Sequence, residues 1–400
     1  MSKIKVNSLE GVGASTPAIS IDNASGTCTA NITNNLSNRN LIINGAMQVA
    51  QRGTSSTSSG YHTVDRFSVE YSGTDEAPTI AQADVASGTT PYTLGFRKAL
   101  KVTNGNQTGG AGASDYIQIM QRVEAQNMAT SGWNYLSSSS FITFSFYIKS
   151  SVAQAFSGSL RTHDGTSYSY KFDTPSISAD TWTKVTKIIP GNSNLTFDNN
   201  NGNGLSIHLY PYIGTSYTTA NSDTETWVTG ASGNYANDMT TTWYTTNDAT
   251  FEITGVQLEV GSVATDFEHR SFAQELALCQ RYCHTFNGDG SQGGDGQLVI
   301  SENGTLYNSS NFFCSVTFRV SMRTKPSMSV TTGTNYYVFY SNNAGYDVTG
   351  SGLAMNGNTS TEAVVINHTG TTLGTSGHSA LFRINNASAL IILQLSLIHI

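Results

Sequence analysis

The chain has 400 residues, room for two or three domains, with a net charge of −7 and charged residues at 12%, against about 25% in ordinary globular domains. Aromatics at 10% exclude a disordered chain, which would combine high charge with few rings. The sequence also lacks a Lys/Arg cluster, which argues against nucleic-acid binding through phosphate contacts. Abundant Gly, Ser, Thr and Asn predict an all-β protein, with rings filling the cores and polar β-formers facing water.

The first residues, MSKIKVNSLEGVGASTPAIS, have no apolar signal core, so synthesis in a cytoplasm is expected. Within residues 1–39, KIKVNSL and AISIDNASGTCTANIT alternate weakly, as short strands do. They read as an N-terminal β arm for attachment or trimerisation. From residue 40 to 270 strands recur between Gly/Ser/Asn turns, without a long amphipathic helix. In FITFSFYIKSS, Ile142, Phe144, Phe146 and Ile148 take one face, while Thr143, Ser145, Tyr147 and Lys149 take the other. In GLSIHLYPYIG the same period puts Leu205, Ile207, Leu209 and Ile213 inward and Ser206, His208, Tyr210 and Tyr212 outward. The stretch predicts one two-sheet sandwich.

SFAQELALCQRYCHTFNG predicts a connector helix over 271–287. Phe272, Leu276, Cys279 and Cys283 recur at helical spacing, Ser271 and Gln274 form a capping box, and Asn287-Gly288 supplies the stop. Residues 288–394 return to strands and predict a smaller C-terminal β domain, expected to be incomplete. Asn303-Gly304 is its first turn signal, and NGDGSQGGDGQ reads as a hinge. Four cysteines are too few for a disulfide framework, and Cys279, Cys283 and His284 lack a second ligand pair for a metal.

NLIINGAMQVAQRG, DRFSVE, FSFYIKSSVAQAFSGSLR, DTWTKVTKIIPG and QLEVGSVATDFEHRSFAQELALCQRY resemble the tail-fibre or tail-spike-like structural proteins of tailed bacteriophages. The resemblance covers residues 38–286 well and the last domain moderately. The middle domain also resembles a carbohydrate-binding-module jelly roll of the galactose-binding-like type. The resemblance implies a virion appendage that touches the host surface; scarce carboxylates and the lack of a catalytic motif make a non-enzymatic one the expectation. It would be a homotrimer among other tail proteins, with no membrane insertion. The tail departs from the family: residues 395–400, LSLIHI, match the translation of a sequencing-adapter end, CTG TCT CTT ATA CAC ATC, and no function is argued from them.

Sugars stack their apolar C–H faces on aromatic rings and hydrogen-bond through their hydroxyls. His208, Tyr210, Tyr212 and Tyr147 are therefore the candidate glycan-binding residues on strands. Trp227, Tyr235 and Trp243 are the candidates in the long polar segment that follows. Trp182 reads as packing. The only cofactor considered is a structural calcium ion, which takes 6–8 oxygens; Asp65, Glu259 and Asp266 are the nearest carboxylates. The expected function is host attachment through a bacterial surface polysaccharide. The alternatives are a purely structural fibre component and a polysaccharide depolymerase, though no catalytic motif is present.

Overall fold

The computed structural model describes residues 8–9, 19–21, 28–30, 38–219, 223–230, 235–288, 298–370 and 373–395. Three short strands, Ser8–Leu9, Ile19–Ile21 and Cys28–Ala30, pair antiparallel near the start. Twelve strands then build the sandwich: β1 (Ser55–Ser56), β2 (Ser68–Ser72), β3 (Thr79–Asp84), β4 (Lys98–Thr103), β5 (Tyr116–Glu124), β6 (Phe141–Ser150), β7 (Ser157–Thr162), β8 (Tyr168–Asp173), β9 (Thr183–Pro190), β10 (Asn203–Ile213), β11 (Trp227–Thr229) and β12 (Thr250–Val260). The front sheet runs β11-β8-β7-β10-β5-β2 and the back sheet β9-β6-β12-β4-β3-β1, each antiparallel throughout. The protein is all-β, and this half is a jelly-roll-like sandwich.

Alternation decides which face goes inward. Ile142, Phe144, Phe146 and Ile148 of β6 are fully buried against Leu160, Phe172, Ile207 and Leu209 of the front sheet. At about 1.5–3 kcal/mol for each fully buried large side chain, this layer supplies much of the drive to fold. On β10 the alternation breaks. A bulge between Leu209 and Tyr212, at Pro211, reverses the phase. Tyr212 therefore turns into the core and stacks on Tyr244 at 4.3 Å, while Ile213 joins Tyr210 on the outer side. One extra residue moves every later side chain to the opposite face.

The connector helix is Phe272–Gln280, capped by Ser271 and Gln274 as the sequence predicts. It ends earlier than the Asn287-Gly288 stop, because 283–287 already form a strand. The second half has ten strands: β13 (Cys283–Asn287), β14 (Leu298–Asn308), β15 (Asn311–Thr317), β16 (Ser327–Val330), β17 (Tyr337–Ser341), β18 (Ala344–Val348), β19 (Leu353–Met355), β20 (Ala363–Thr369), β21 (Ser379–Ile384) and β22 (Leu390–Gln394). They form sheets β13-β22-β16 and β18-β17-β21-β14-β15-β20-β19 around Phe312, Phe339 and Phe382. Asn303-Gly304 is not a turn; it lies inside β14 at a register shift. A Cβ at Gly304 would meet the Phe312 ring at 2.3 Å, so the glycine serves close packing. The apolar run near the end is the middle strand β22, with Ile391 and Leu393 buried. The Leu395 amide donates to the Tyr282 carbonyl at 3.2 Å. Residues 396–400, which carry the rest of LSLIHI, lie outside the described residues, as does most of the Gly-rich stretch 287–297.

Candidate functional site

Two regions gather charged and polar side chains. The first is a clasp, where residues 38–66 lock against residues 256–282. Asn40 accepts from the Ile42 and Leu258 amides, each at 3.0 Å, and donates to the Val256 carbonyl. Asn44 sits at φ 61 and closes a loop through Val49 and the Asp65 carbonyl; Asn tolerates that left-handed conformation better than most residues. Glu275 accepts from the Asn44 amide and pairs with Arg270. Buried Glu124 is held by Nε and Nη2 of Arg281, at 2.8 and 2.9 Å, and by the Tyr282 hydroxyl. Burial alone would raise the Glu124 pKa, but these donors outweigh it and hold the group below its ordinary value. Arg66 stacks on Tyr282, 3.4 Å from the ring centroid. Gln51 and Arg52 reach Cys283 and Gln394, so the clasp also ties the two halves together.

This clasp accounts for the calcium candidates. Asp65 oxygens accept from Gln51 and Arg52, and Glu259 oxygens accept from Gln257 and Thr265 and pair with Arg39. The Asp266 main-chain carbonyl takes Arg39 and Gln257. The carboxylates of Asp65 and Glu259 are thus used by protein donors, and among the described residues no group of three His, Cys, Asp or Glu could hold a metal ion. Burial pushes the Cys283 thiol up to about 12 and leaves Cys279 protonated. A cleft of about 1220 Å³ opens beside the clasp. Its charged walls, Glu268 and Arg270, are occupied by the Asn40 amide and the Ile42 carbonyl.

The second region is the outer face of the front sheet. The strand candidates are placed here or beside it, but not as an open row. His208 and Tyr210 do point outward, yet they are 3% and 1% exposed. Residues 214–219 and 235–240 pack against this face: Tyr217, Tyr235 and Ala236 cluster with Tyr210, the Asn237 amide donates to Ser157, the Asn237 side chain donates to Asp173, and Thr219 accepts from Lys171. Burial pushes the Tyr210 hydroxyl up to about 12. Tyr212 is in the core, for the reason given by the bulge. Trp227 packs on Tyr170 and donates its indole N–H to the Pro190 carbonyl at 2.7 Å, and Trp243 does the same to Thr250 at 3.0 Å. Both are buried packing residues. Tyr147 is half-buried on the opposite sheet, 5.8 Å from Phe96, in a small cluster that includes Trp182.

Tyr235 remains. It is half-buried, and the Arg161 guanidinium lies 3.9 Å from its ring centroid. Tyr217 stacks beside it at 6.3 Å and Tyr116 stands edge-on to Tyr217 at 5.7 Å, so three tyrosines form a rim. Below the rim, hydrogen bonds run from His163, just past the end of β7, across three strands: His163 to Ser206 at 2.7 Å, Ser206 to His208 at 2.8 Å, His208 to Gln118 at 3.2 Å, and Gln118 donating to Glu70 at 2.9 Å. The Ser169 hydroxyl and the Arg161 Nε are buried here without a hydrogen-bond partner. Sequence reasoning missed Arg161, Ser169, Arg122 and Tyr116. The signal was the alternation in SGSLRT, where Ser157, Ser159 and Arg161 share the outer face of β7.

No protein-family model matches the sequence, and no curated protein matches it. Among solved structures the chain is similar to the enzymatically active domain of bacteriophage CBA120 tailspike protein 4. Identity is 12% and the TM-score 0.30, over 56% of this chain and 21% of that one. A putative sugar binding protein from Bacteroides thetaiotaomicron is 12% identical at TM-score 0.29, over 56% and 100%. The family 11 carbohydrate-binding module of a cellulosomal cellulase from Clostridium thermocellum is 14% identical at TM-score 0.24, over 54% and 98%. Likenesses this weak carry no argument; the fold rests on the strand pairing above.

Proposed function

We propose that this chain binds a bacterial surface glycan, without catalysis, on the outer face of the front sheet. One observation carries the reading: the tyrosine rim and Arg161 stand over buried polar groups that lack partners. Burying a hydroxyl without a hydrogen bond costs about 1–3 kcal/mol, a cost that a ligand's hydroxyls would relieve. Half-exposed rings beside such groups are what a sugar's two kinds of surface require. The wider role is host attachment by a phage tail protein made in the host cytoplasm and carried on the virion. It follows the resemblance of the two blocks that form the clasp. A homotrimer beside other tail proteins completes that role, and several weak sites acting together would raise the overall affinity.

The non-catalytic reading rests on the absence of a catalytic motif and on the spacing of the strand carboxylates; Asp223 and Asp238 of the adjoining segment lie with Asp173 around Lys171. The outer face of the front-sheet strands carries Glu70, Glu124 and Asp173. Glu70 and Asp173 are four interstrand steps apart, about 19 Å, and Glu124 lies six residues along β5 from the partner of Glu70, about 20 Å. Glycoside hydrolysis needs a pair about 5–10 Å apart. The test is binding of the purified full chain to a panel of bacterial surface polysaccharides, with reducing ends counted over time. Saturable binding without new reducing ends is the expected result. A folded sample that binds no member leaves the structural reading in its place.

A further inference from the structure

We propose that the glycan bound on this face is acidic, and that Arg161 and Arg122 receive its carboxylate or phosphate. This rests on the glycan-binding reading above and narrows its ligand. The strand register places the two arginines. Arg161 of β7 is opposite Ser206 of β10, and Ser206 is opposite Arg122 of β5. On the other side Arg161 is opposite Ser169 of β8. A single row across four strands therefore reads Ser169, Arg161, Ser206, Arg122, with the two arginine backbones about 10 Å apart. Two long side chains at that spacing can converge on one anion between them, and the guanidinium fork suits a planar carboxylate or a phosphate.

The arginines have no acidic partner of their own. Among the described residues, neither Arg161 nor Arg122 has a carboxylate within ion-pair distance. Arg39, Arg52, Arg270 and Arg281, around the clasp, each have one. Arg122 donates at 3.2 Å to the Tyr61 hydroxyl, a neutral acceptor. The Arg161 guanidinium sits over the Tyr235 ring, 3.9 Å from its centroid, a contact that restrains its fork before any ligand arrives. Its Nε is buried and unsatisfied, and Ser169 beside it is fully buried with an unsatisfied hydroxyl. The nearest carboxylate on the strand face, Glu124, two residues or about 7 Å along β5 from Arg122, is taken by Arg281 and Tyr282; Glu70, opposite Gln118, is about 13 Å along β5 from Arg122. It is already held by Gln118 and Ser68.

The histidines do not add to the positive charge. Burial, and then Arg161, lower the pKa of His208 well below the ordinary value, with smaller contributions from His163 and Arg122. His208 is therefore neutral and serves as a hydrogen-bonding group. Lys171, the third cation on this face, donates to Thr219 and has Asp223, Asp173 and Asp238 nearby; the two arginines carry the positive charge of the row itself, in a chain whose net charge is −7. A concentrated positive site on an acidic chain selects an anion from a mixture of sugars.

The experiment uses the full chain and the polysaccharide panel, with each acidic member also supplied after carbodiimide reduction of its carboxylates or enzymatic removal of its phosphates. The expected result is binding to acidic members and a loss of about 10- to 100-fold when the anionic group is removed, the worth of one charge-assisted bidentate contact. Arg161→Gln should weaken binding to the acidic form by a similar factor and barely change binding to the neutralised form. Arg122→Gln, which does not disturb Tyr235, repeats the test should Arg161→Gln fail to fold. Loss only on reduction identifies a carboxylate, and loss only on dephosphorylation a phosphate. Equal binding to native and neutralised forms overturns the acidic ligand while leaving glycan binding intact. No binding to any member overturns both readings.

Discussion

The clasp and the outer face of the front sheet are both rich in arginine and both partly buried, yet they treat their polar groups in opposite ways. In the clasp, Glu124, Asp65, Glu259 and Glu275 each have an arginine partner as well as neutral donors. On the outer face, Arg161 has a tyrosine ring and Ser169 has nothing. A satisfied network fixes one geometry; an unsatisfied one keeps interaction energy for something that has yet to bind. Two of the five blocks that resemble phage tail proteins, NLIINGAMQVAQRG and the segment ending in QRY, are the two sides of the clasp. Of the remaining blocks, FSFYIKSSVAQAFSGSLR reaches the candidate site at Arg161, whereas Tyr116, Arg122, Ser169, Tyr217 and Tyr235 lie outside all of them.

Breaking the clasp should have the largest effect. Arg281→Ala leaves Glu124 charged and buried without its main partner and should cost about 3–5 kcal/mol in urea unfolding. Glu124 has a folded pKa below its ordinary value of 4.5. Its stabilising contribution is therefore complete above that value and is lost as pH falls through the folded pKa. The gap between wild type and Arg281→Ala should accordingly shrink below pH 4.5. A gap that stays constant down to acid unfolding would show that Arg281 acts through packing alone. Asn44→Ala removes three hydrogen bonds and puts a less tolerant residue at φ 61. About 2–3 kcal/mol should be lost, and a thermal melt unchanged from wild type would refute the role given to this turn.

Changes on the outer face should affect binding and leave the fold alone. Tyr235→Ala removes the ring under Arg161 and one member of the rim, so affinity for the best polysaccharide should fall about 5- to 10-fold. An equal fall in stability would mean that the ring is packing. Ser169→Ala is the smallest and sharpest case. The hydroxyl makes no hydrogen bond in the free protein, so its removal should leave stability unchanged or raise it by up to about 1 kcal/mol. Weaker glycan binding by this variant would place the ligand against Ser169; lost stability would mean the hydroxyl has a partner after all.

The sequence made the sandwich readable because one face of β6 is purely apolar, and a period of two leaves no second interpretation. The Ser271 cap was readable because its partner Gln274 is three residues away. The site was not, for two physical reasons. The bulge at Pro211 reversed the faces of Tyr212 and Ile213, and a local alternation pattern cannot reveal an extra residue. Residues 214–219 and 235–240 fold back over β7, β8 and β10 through long-range contacts such as Asn237 with Asp173. Those contacts buried the aromatics that looked most exposed. Asn303-Gly304 failed similarly: its turn preference lost to the packing of Phe312 against a bare backbone.

The most direct measurement is amide hydrogen exchange of the full chain with and without its best-binding polysaccharide. Slowed exchange in 157–171, 204–210 and 235–239, with residues 38–66 and 256–282 unchanged, is the pattern expected if the outer face is the binding surface and the clasp its support. Protection confined to 38–43 and 266–278, the walls of the large cleft, would contradict that assignment and move the site to the scaffold.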